Sequence, residues 1–462
     1  MTNETTGAGG VTPQVQQLAE YIAGAATRPL PPEVQEKTKH HVLDTLAAMV
    51  SGTKLLPGRR AIQYAKSRGG VEEATVVGTK IVTTVETAAL ANGMLAHSDE
   101  TDDSHAASQT HPGCGIVAAA LAMAERERRG GTPFLRAVAL GYDVGTRFTM
   151  CLNAFEFREE GHSTHSFGPT FGAAAAAGSL IRVDARQARH LVTYAGQQAS
   201  GVGSWGADLE HIEKAFDFGG MPARNGVTAA SFLKQGFTAT EDMFQGARNF
   251  LMAYGSASRP ANIDELVREL GSTYEIMRTN IKRWSVGSPI QAPLDSLLEL
   301  IREHGVTADE VVRCEVRVSP SAATTVDNRL MPDICMQHMC AVMLVDGIVT
   351  FESSHDEPRM HDARVLDVRS RIDLVKDEEL HKVFPSRQGI VTLTLKDGRE
   401  LRHHTRAVRG TDENPMSRAE VDEKCFHLMA PILGKRRART LCDTVWSLES
   451  VKDMRELRPL LG

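Results

Sequence analysis

The sequence predicts a mainly α protein, a large all-helical domain formed by both chain ends plus a smaller inserted α+β lid domain. Three observations carry this reading. From Thr12 to about Arg259, apolar residues recur at three- and four-residue spacing. After about Asn262, several short runs alternate apolar with polar residues, and beyond Val408 helical spacing returns. The boundaries drawn are a tail at 1–12, a helical domain at 13–265 and 410–462, and the lid at 266–409.

The first thirteen residues, "MTNETTGAGGVTP", are polar and lack the charged and apolar regions of a signal peptide, so a frayed tail is expected. In "TKHHVLDTLAAMVSG" the apolar face is Val42, Leu43, Leu46, Ala47 and Val50, with Pro31 and Pro32 suited to a first turn and Gly52 to a stop. Further helices are read at 85–96, 116–128, 133–150, 170–181, 185–198 and 224–235. Several are loaded with Ala and Gly, which permits close backbone approach on all sides. In the lid, "IDELVREL" and "LDSLLELIREHG" read as helices, while "CEVRVS" and "ARVLDVRSRIDLV" alternate. "GIVTLTLKDGRELRHHTRAV" reads as two strands about an Asp397-Gly398 turn. "GTDENPMSRAE" is a linker with helix-start chemistry, and 420–462 is helical.

Composition narrows the function. The 462 residues carry Lys+Arg 52 against Asp+Glu 58, a net charge of -6, so no basic excess points to nucleic acid or to an anionic membrane. The most apolar segments, such as "TFGAAAAAGSLI", are too short to span a bilayer, and cytoplasmic residence is the default expectation. Seven scattered cysteines form no C-x-x-C pair, which speaks against a disulfide framework or a zinc site.

Five segments could do chemistry. "AHSDETDDSHAASQTHPGCG", 96–115, packs four acidic side chains and three histidines between two Ala-rich helices. It lacks the spacing of a calcium loop and the H-E-x-x-H of a zinc protease, leaving a solvated helix end or the wall of a polar cleft. "EEGHSTHSFGPTFG" offers His162 and His165 ahead of an Ala-rich helix whose N-terminus could take an anionic group. "EKAFDFGGMPARNG" offers Lys214 and Arg224 around a Gly-Gly turn, without a phosphate-loop pattern. "NIKRWSVGSPIQAPLD" offers Lys282, and "MPDICMQHMCAVMLVDG" places His338 on an apolar helix, where a core role is the ordinary one. Together Lys214, Lys282, His111, His162 and His338 stand against Glu100, Asp102 and Asp103. Such an inventory suits a di- or tricarboxylic acid clamped by cations while a neighbouring C–H or C–O bond is handled by acid/base catalysis. No redox-cofactor motif and no G-x-S-x-G elbow is found.

In this order the segments resemble the MmgE/PrpD family, which contains 2-methylcitrate dehydratase, cis-aconitate decarboxylase and iminodisuccinate epimerase. "ANGMLAHSDETDDSH" followed by "THPG", "GHSTHSFGPTFGAAAAA", "EKAFDFGGMPARNG" and "IKRWSVGSPIQAPLD" carry the resemblance, from about Gln14 to about Leu448. It implies a homodimer with the active site at the junction of helical domain and lid, needing no organic cofactor or metal. It also implies that His111 and His162 are the active-site histidines, and that Lys214 and Lys282 hold substrate carboxylates. Asp102 and Asp103 match the acidic pair; Glu100 stands where Asp is usual and Ser104 where Thr is usual. Thr101 replaces a Phe, Gln291 a His and Trp284 a Tyr, and His338 falls near a frequent Tyr. The implied catalytic set is therefore His111, His162, Glu100, Asp102, Asp103 and Ser104, and the substrate-binding set Lys214, Lys282, Arg224, His338 and Gln291. The reaction expected first is dehydration of a 2-methylcitrate-like hydroxy acid; decarboxylation of an aconitate-like acid and epimerisation of an amino or imino dicarboxylate are the alternatives.

Overall fold

A computed structural model describes residues 10–462. The chain is mainly helical. The expected tail at 1–12 lies outside the described residues up to position 9, and Thr12 is already tied down, its backbone N–H donating to Asp242 at 2.9 Å.

Helices at Val85–Ala96 and Ala185–Gln198 have the bounds that their periodicity predicts. Others begin earlier than expected. The helix expected from 116 runs Pro112–Arg126, with Pro112 at the first helical position where its missing N–H costs nothing. The helix expected from 170 runs Thr164–Ile181 and carries Pro169 inside it, and Ser288–His304 likewise absorbs Pro293. In each case the reading began past a proline; Pro169 and Pro293 lie beyond the first turn, so each of those helices forgoes one backbone hydrogen bond there. Leu56–Arg68 is a helix that the sequence reading did not single out.

Buried apolar side chains gather in two clusters. One draws on residues from Val15 to Ile281 and again from Met416 to Leu461; the other runs from Trp284 to Leu395. Tyr274, Ile276 and Ile281, assigned by sequence to the lid, pack in the first cluster. The second cluster is built on a four-stranded sheet in the order Ile372–Lys376, Val311–Val318, Gly389–Leu395, Glu400–Thr405. The last two strands form the expected hairpin, with Gly398 at φ 86°. "ARVLDVRSRIDLV" is not one alternating strand: Ala363–Arg369 is a helix, capped by the Asp362 side chain, and only Ile372–Lys376 is a strand, parallel to its neighbour. That parallel pairing needs a crossover, which the helices between the strands supply. "IDELVREL" forms only a short 3₁₀ turn, Ile263–Leu266. No helix among the described residues is long and apolar enough to cross a membrane.

The small residues have a specific use. Gly93, on Val85–Ala96, touches backbone at Gly219, within the π-helical turn Phe216–Gly220. A Cβ at Gly93 would fall inside contact distance of the Gly219 carbonyl, and a Cβ at Gly219 would meet the Gly93 carbonyl in return. Gly93 lies one turn before His97 and Gly219 next to Phe218, so this contact sets the spacing of two site residues. Gly93→Ala should therefore destabilise the protein by about 2 kcal/mol through overpacking, although Ala in an open helix position would add about 1 kcal/mol. The thermal midpoint reads the sign; a midpoint that rises contradicts the close-packing account.

Candidate active site

The acidic loop between Val85–Ala96 and Pro112–Arg126 is buried. Asp99, Glu100, Asp102 and Asp103 are each at most 5 % exposed, which excludes a solvated helix end. Each carboxylate must then find partners, and each finds different ones.

Asp102 accepts from two imidazoles, His97 Nδ1 at 2.9 Å and His111 Nδ1 at 3.0 Å. Burial works against its ionisation, but the two histidines outweigh burial and hold the carboxyl well below its usual range. An acceptor there places a proton on Nδ1 of His111 and leaves Nε2 with a free lone pair. Burial and the neighbouring Lys282 ammonium lower the His111 pKa to about 4, so the ring is neutral at physiological pH. Its position preceding Pro112 leaves it at the helix N-terminus, with no side-chain capping bond to compete for the ring.

Asp103 is used differently. Its carboxylate accepts from Tyr142 at 2.5 Å, His41 Nδ1 at 2.8 Å and the Gly113 N–H at 2.9 Å. Three donors from three elements fill it, so it anchors the loop and the N-terminus of Pro112–Arg126. From the returning C-terminal helix, Lys424 binds Asp44 at 2.6 Å and the Thr101 carbonyl at 3.1 Å, bracing the loop from behind. Ser104 pairs backbone to backbone with Asn280, at 3.0 and 2.8 Å, joining the loop to the segment that leads to Lys282.

Glu100 lies between two ammonium groups. Lys214 binds Oε1, and Lys282 binds Oε2 at 3.1 Å and the Glu100 carbonyl at 2.8 Å. Burial opposes ionisation of Glu100, yet Lys214 and Lys282 hold it well below its usual range. Lys282 also approaches Asp102 to 3.9 Å. Lys214 further sits 5.2 Å from the Phe218 ring and 5.6 Å from Trp205.

Phe218 is sandwiched between His97 at 4.3 Å and His165 at 3.7 Å, with interplanar angles of 19° and 9°. The π-helical turn presents this ring, and such turns recur at functional sites. His165 thus joins the cluster, 5.3 Å from His111, with its Nδ1 buried and unpartnered among the described residues. His162 does not. Its ring stacks on Phe157 at 4.1 Å, away from the carboxylates, because the helix starting at Thr164 turns position 165 inward while position 162 precedes it.

Three further expected residues stand apart. The Arg224 guanidinium binds the adjacent Asn225 side chain. Gln291 spends its amide on the backbone of Trp284 and Val286, at 2.8 to 3.1 Å, bracing that loop while still lining a cleft. His338 is buried in the second cluster with neither ring nitrogen partnered among the described residues; burial and the charges of Arg369 and Arg359 lower its pKa to about 4. Sequence reasoning missed His97, which Asp102 orients, His211 and two groups supplied by the second cluster. His355 Nε2 pairs with Asp99 at 3.1 Å, and although burial opposes its charge, Asp99 raises its pKa to about 9. Burial raises the Asp333 carboxyl to about 7, near His355 and Glu100.

Two sets of donor atoms lie within 4.8 Å of one another: His97, Glu100 and His211, and His97, Asp102 and Cys114. A cation in the first would face Lys214 and Lys282, which already neutralise Glu100. In the second, burial and the adjacent Asp102 and Asp103 push the Cys114 thiol well above its usual range, and the thiol donates to the His111 carbonyl at 3.1 Å.

Beside Lys282 opens a cleft of about 330 Å³, lined from one side by Ser104 and His105 and from the other by Arg387 and Arg409. A volume of that order suits a small ligand.

Comparison with known proteins bears on the same segments. The MmgE/PrpD N-terminal domain matches residues 16–262 and the MmgE/PrpD C-terminal domain residues 284–449. A cis-aconitate decarboxylase-like protein, oryM, of Aspergillus oryzae is 22% identical, covering 99% of this chain and 98% of the relative. The cis-aconitate decarboxylase of Homo sapiens is 24% identical over 96% and 94% of the two chains, and that of Aspergillus terreus 21% identical over 100% and 98%. With both domain models matched in order across most of its length, the chain belongs to the MmgE/PrpD family.

Proposed function

We propose that the protein is a lyase that acts on a small di- or tricarboxylic acid by moving a proton at the carbon beside a carboxylate, without a cofactor. The observation that carries this reading is the neutral His111, oriented through Nδ1 by Asp102 and set beside the Lys282 ammonium. Lys282 and Lys214 attract the carboxylate, Nε2 of His111 takes the α-proton, and Lys282 stabilises the negative charge that develops on the carboxylate oxygens. In dehydration those electrons form the C=C bond and the β-hydroxyl leaves as water with a proton from the enzyme. Asp333, held near neutrality, is suited to give that proton. Glu100 keeps the two lysines apart and in place. The larger cluster, built from both chain ends, forms the floor of the site, and the second cluster closes over it as a lid.

Decarboxylation is the second reading, and the relatives' names favour it. The C–COO⁻ bond would break, its electrons would remain on carbon, and the histidines would bring a proton in. Proton NMR in D₂O over citrate, 2-methylcitrate, aconitate and amino-dicarboxylate substrates separates the reactions: alkene formation with loss of water, loss of carbon dioxide, or deuterium entry with neither, which would mark an epimerase. A ligand at 100 times its dissociation constant also adds about 2.7 kcal/mol of stability, so no turnover and no thermal shift across the panel contradicts the proposal.

On an accepted substrate, His111→Ala should lower kcat on the order of 10²-fold or more. His165→Asn should be markedly impaired, whereas His162→Asn should keep activity within several-fold; the reverse order would show that the ring stacked on Phe157 moves into the site.

The pH profile has a defined sign. A base lowered to about 4 stays neutral as pH falls from 7 to 5.5. After correction for the substrate's own titration, kcat/KM should show no His111 limb in that window. A histidine at its ordinary 6.5 would lose roughly tenfold by pH 5.5, and such a loss, absent in a His111 variant, contradicts the neutral-base assignment.

A further inference from the structure

We infer that Arg387 is a substrate-binding residue that clamps a carboxylate remote from the reacting carbon; the inference rests on the polycarboxylate reading above. Four cations line the cleft, and three are satisfied. Arg409 is held by Glu420 at 2.9 and 2.5 Å and by Asn414 at 2.6 Å. Arg278 pairs with Glu275 at 3.5 Å, and Lys282 with Glu100 at 3.1 Å. Arg387 lines the same cleft with neither a hydrogen bond nor an ion pair among the described residues. The acids on the rim, Asp412 and Glu413, are exposed and make no ion pair with it. A guanidinium offers five donors in a planar fork matched to a carboxylate, and those of Arg387 face the cleft with no protein acceptor among the described residues.

The placement of the segment supports this. Arg387 stands between the helix Glu378–His381 and the strand Gly389–Leu395 of the second cluster. The same segment reaches the helix Ala154–Glu159, where Phe384 packs edge-on against Phe155 at 5.6 Å. Arg387 is therefore presented across the cleft from the acidic loop. Burial and the like charge of Arg158 lower its pKa to about 10, and Glu100 is the acid that offsets them. Its surroundings hold more positive charge than they neutralise, which is the condition for recruiting an anion. With Lys282 and His111 engaging the reacting end, an occupant that also reaches Arg387 needs a second carboxylate on a short carbon chain.

The test removes the cation and the ligand carboxylate in turn. Glutarate and pentanoate share a five-carbon chain, and the former carries one carboxylate more, at the remote end. Calorimetric titration of the full-length protein should find glutarate bound at least tenfold more tightly than pentanoate. Arg387→Met should remove most of that difference and leave pentanoate within about threefold; Arg387→Lys should restore part of it. Because Arg387 makes no bond in the unliganded protein, Arg387→Met without ligand should unfold at the wild-type temperature or higher, which separates lost binding from lost folding. If the wild type discriminates and Arg387→Met keeps the full difference, or weakens both acids equally, the clamp assignment falls while the polycarboxylate reading stands. If the wild type binds neither acid, the reading itself falls and the assignment with it.

Discussion

One carboxylate between two ammonium groups holds this site together. Glu100, Lys214 and Lys282 come from three segments far apart in the chain, and all three meet in the buried space between the acidic loop and the π-helical turn. Burying one such charge alone would cost several kcal/mol, and removing one member of a buried pair typically costs 3–5 kcal/mol, at about that order. The triad therefore constrains where the loop, the turn and the segment entering the second cluster can lie. On the proposed function, a substrate carboxylate shares the lysines with Glu100, entering a site whose positive charge is already in place and oriented.

Around that triad the two neighbouring aspartates divide the work. Asp102 takes Nδ1 of both His97 and His111 and so leaves Nε2 as the free nitrogen of His111. Asp103 accepts from Tyr142, His41 and the Gly113 N–H and so serves as an anchor. The helices that hold both are rich in small residues, which lets Gly93 and Gly219 touch through their backbones and brings the Phe218 ring between His97 and His165. A polar centre is thus fixed by apolar packing one layer behind it.

Much of this was legible in the sequence. The mainly helical class, the acidic loop, His111 and the two lysines were all visible as segments whose residue types make sense only together. What escaped were directions. Asp102 and Asp103 are adjacent and chemically identical, and only their partners, 41 to 142 in the chain, separate anchor from orienting group. His162 and His165 differ by three positions, and the helix start at Thr164 sends one ring to Phe157 and the other to Phe218. Gln291 and His338 stand out in sequence as substitutions at family positions; in the structure Gln291 bonds backbone while lining the cleft, and His338 lies in the core. Arg387 carried no signal, since a single arginine ahead of a strand means nothing until the cleft that it lines is seen. The strand expected across "ARVLDVRSRIDLV" failed for a related reason: a seven-residue helix is too short for periodicity to tell from alternation.

The central claim is that the His111, Lys282 and Glu100 cluster receives a carboxylate substrate. A crystal structure of the protein soaked with tricarballylate tests it most directly. The account predicts one ligand carboxylate within hydrogen-bond distance of Lys282 Nζ, with the adjacent carbon facing Nε2 of His111. A ligand bound elsewhere, with Lys282 and Glu100 still closed on each other and His111 unapproached, would contradict it.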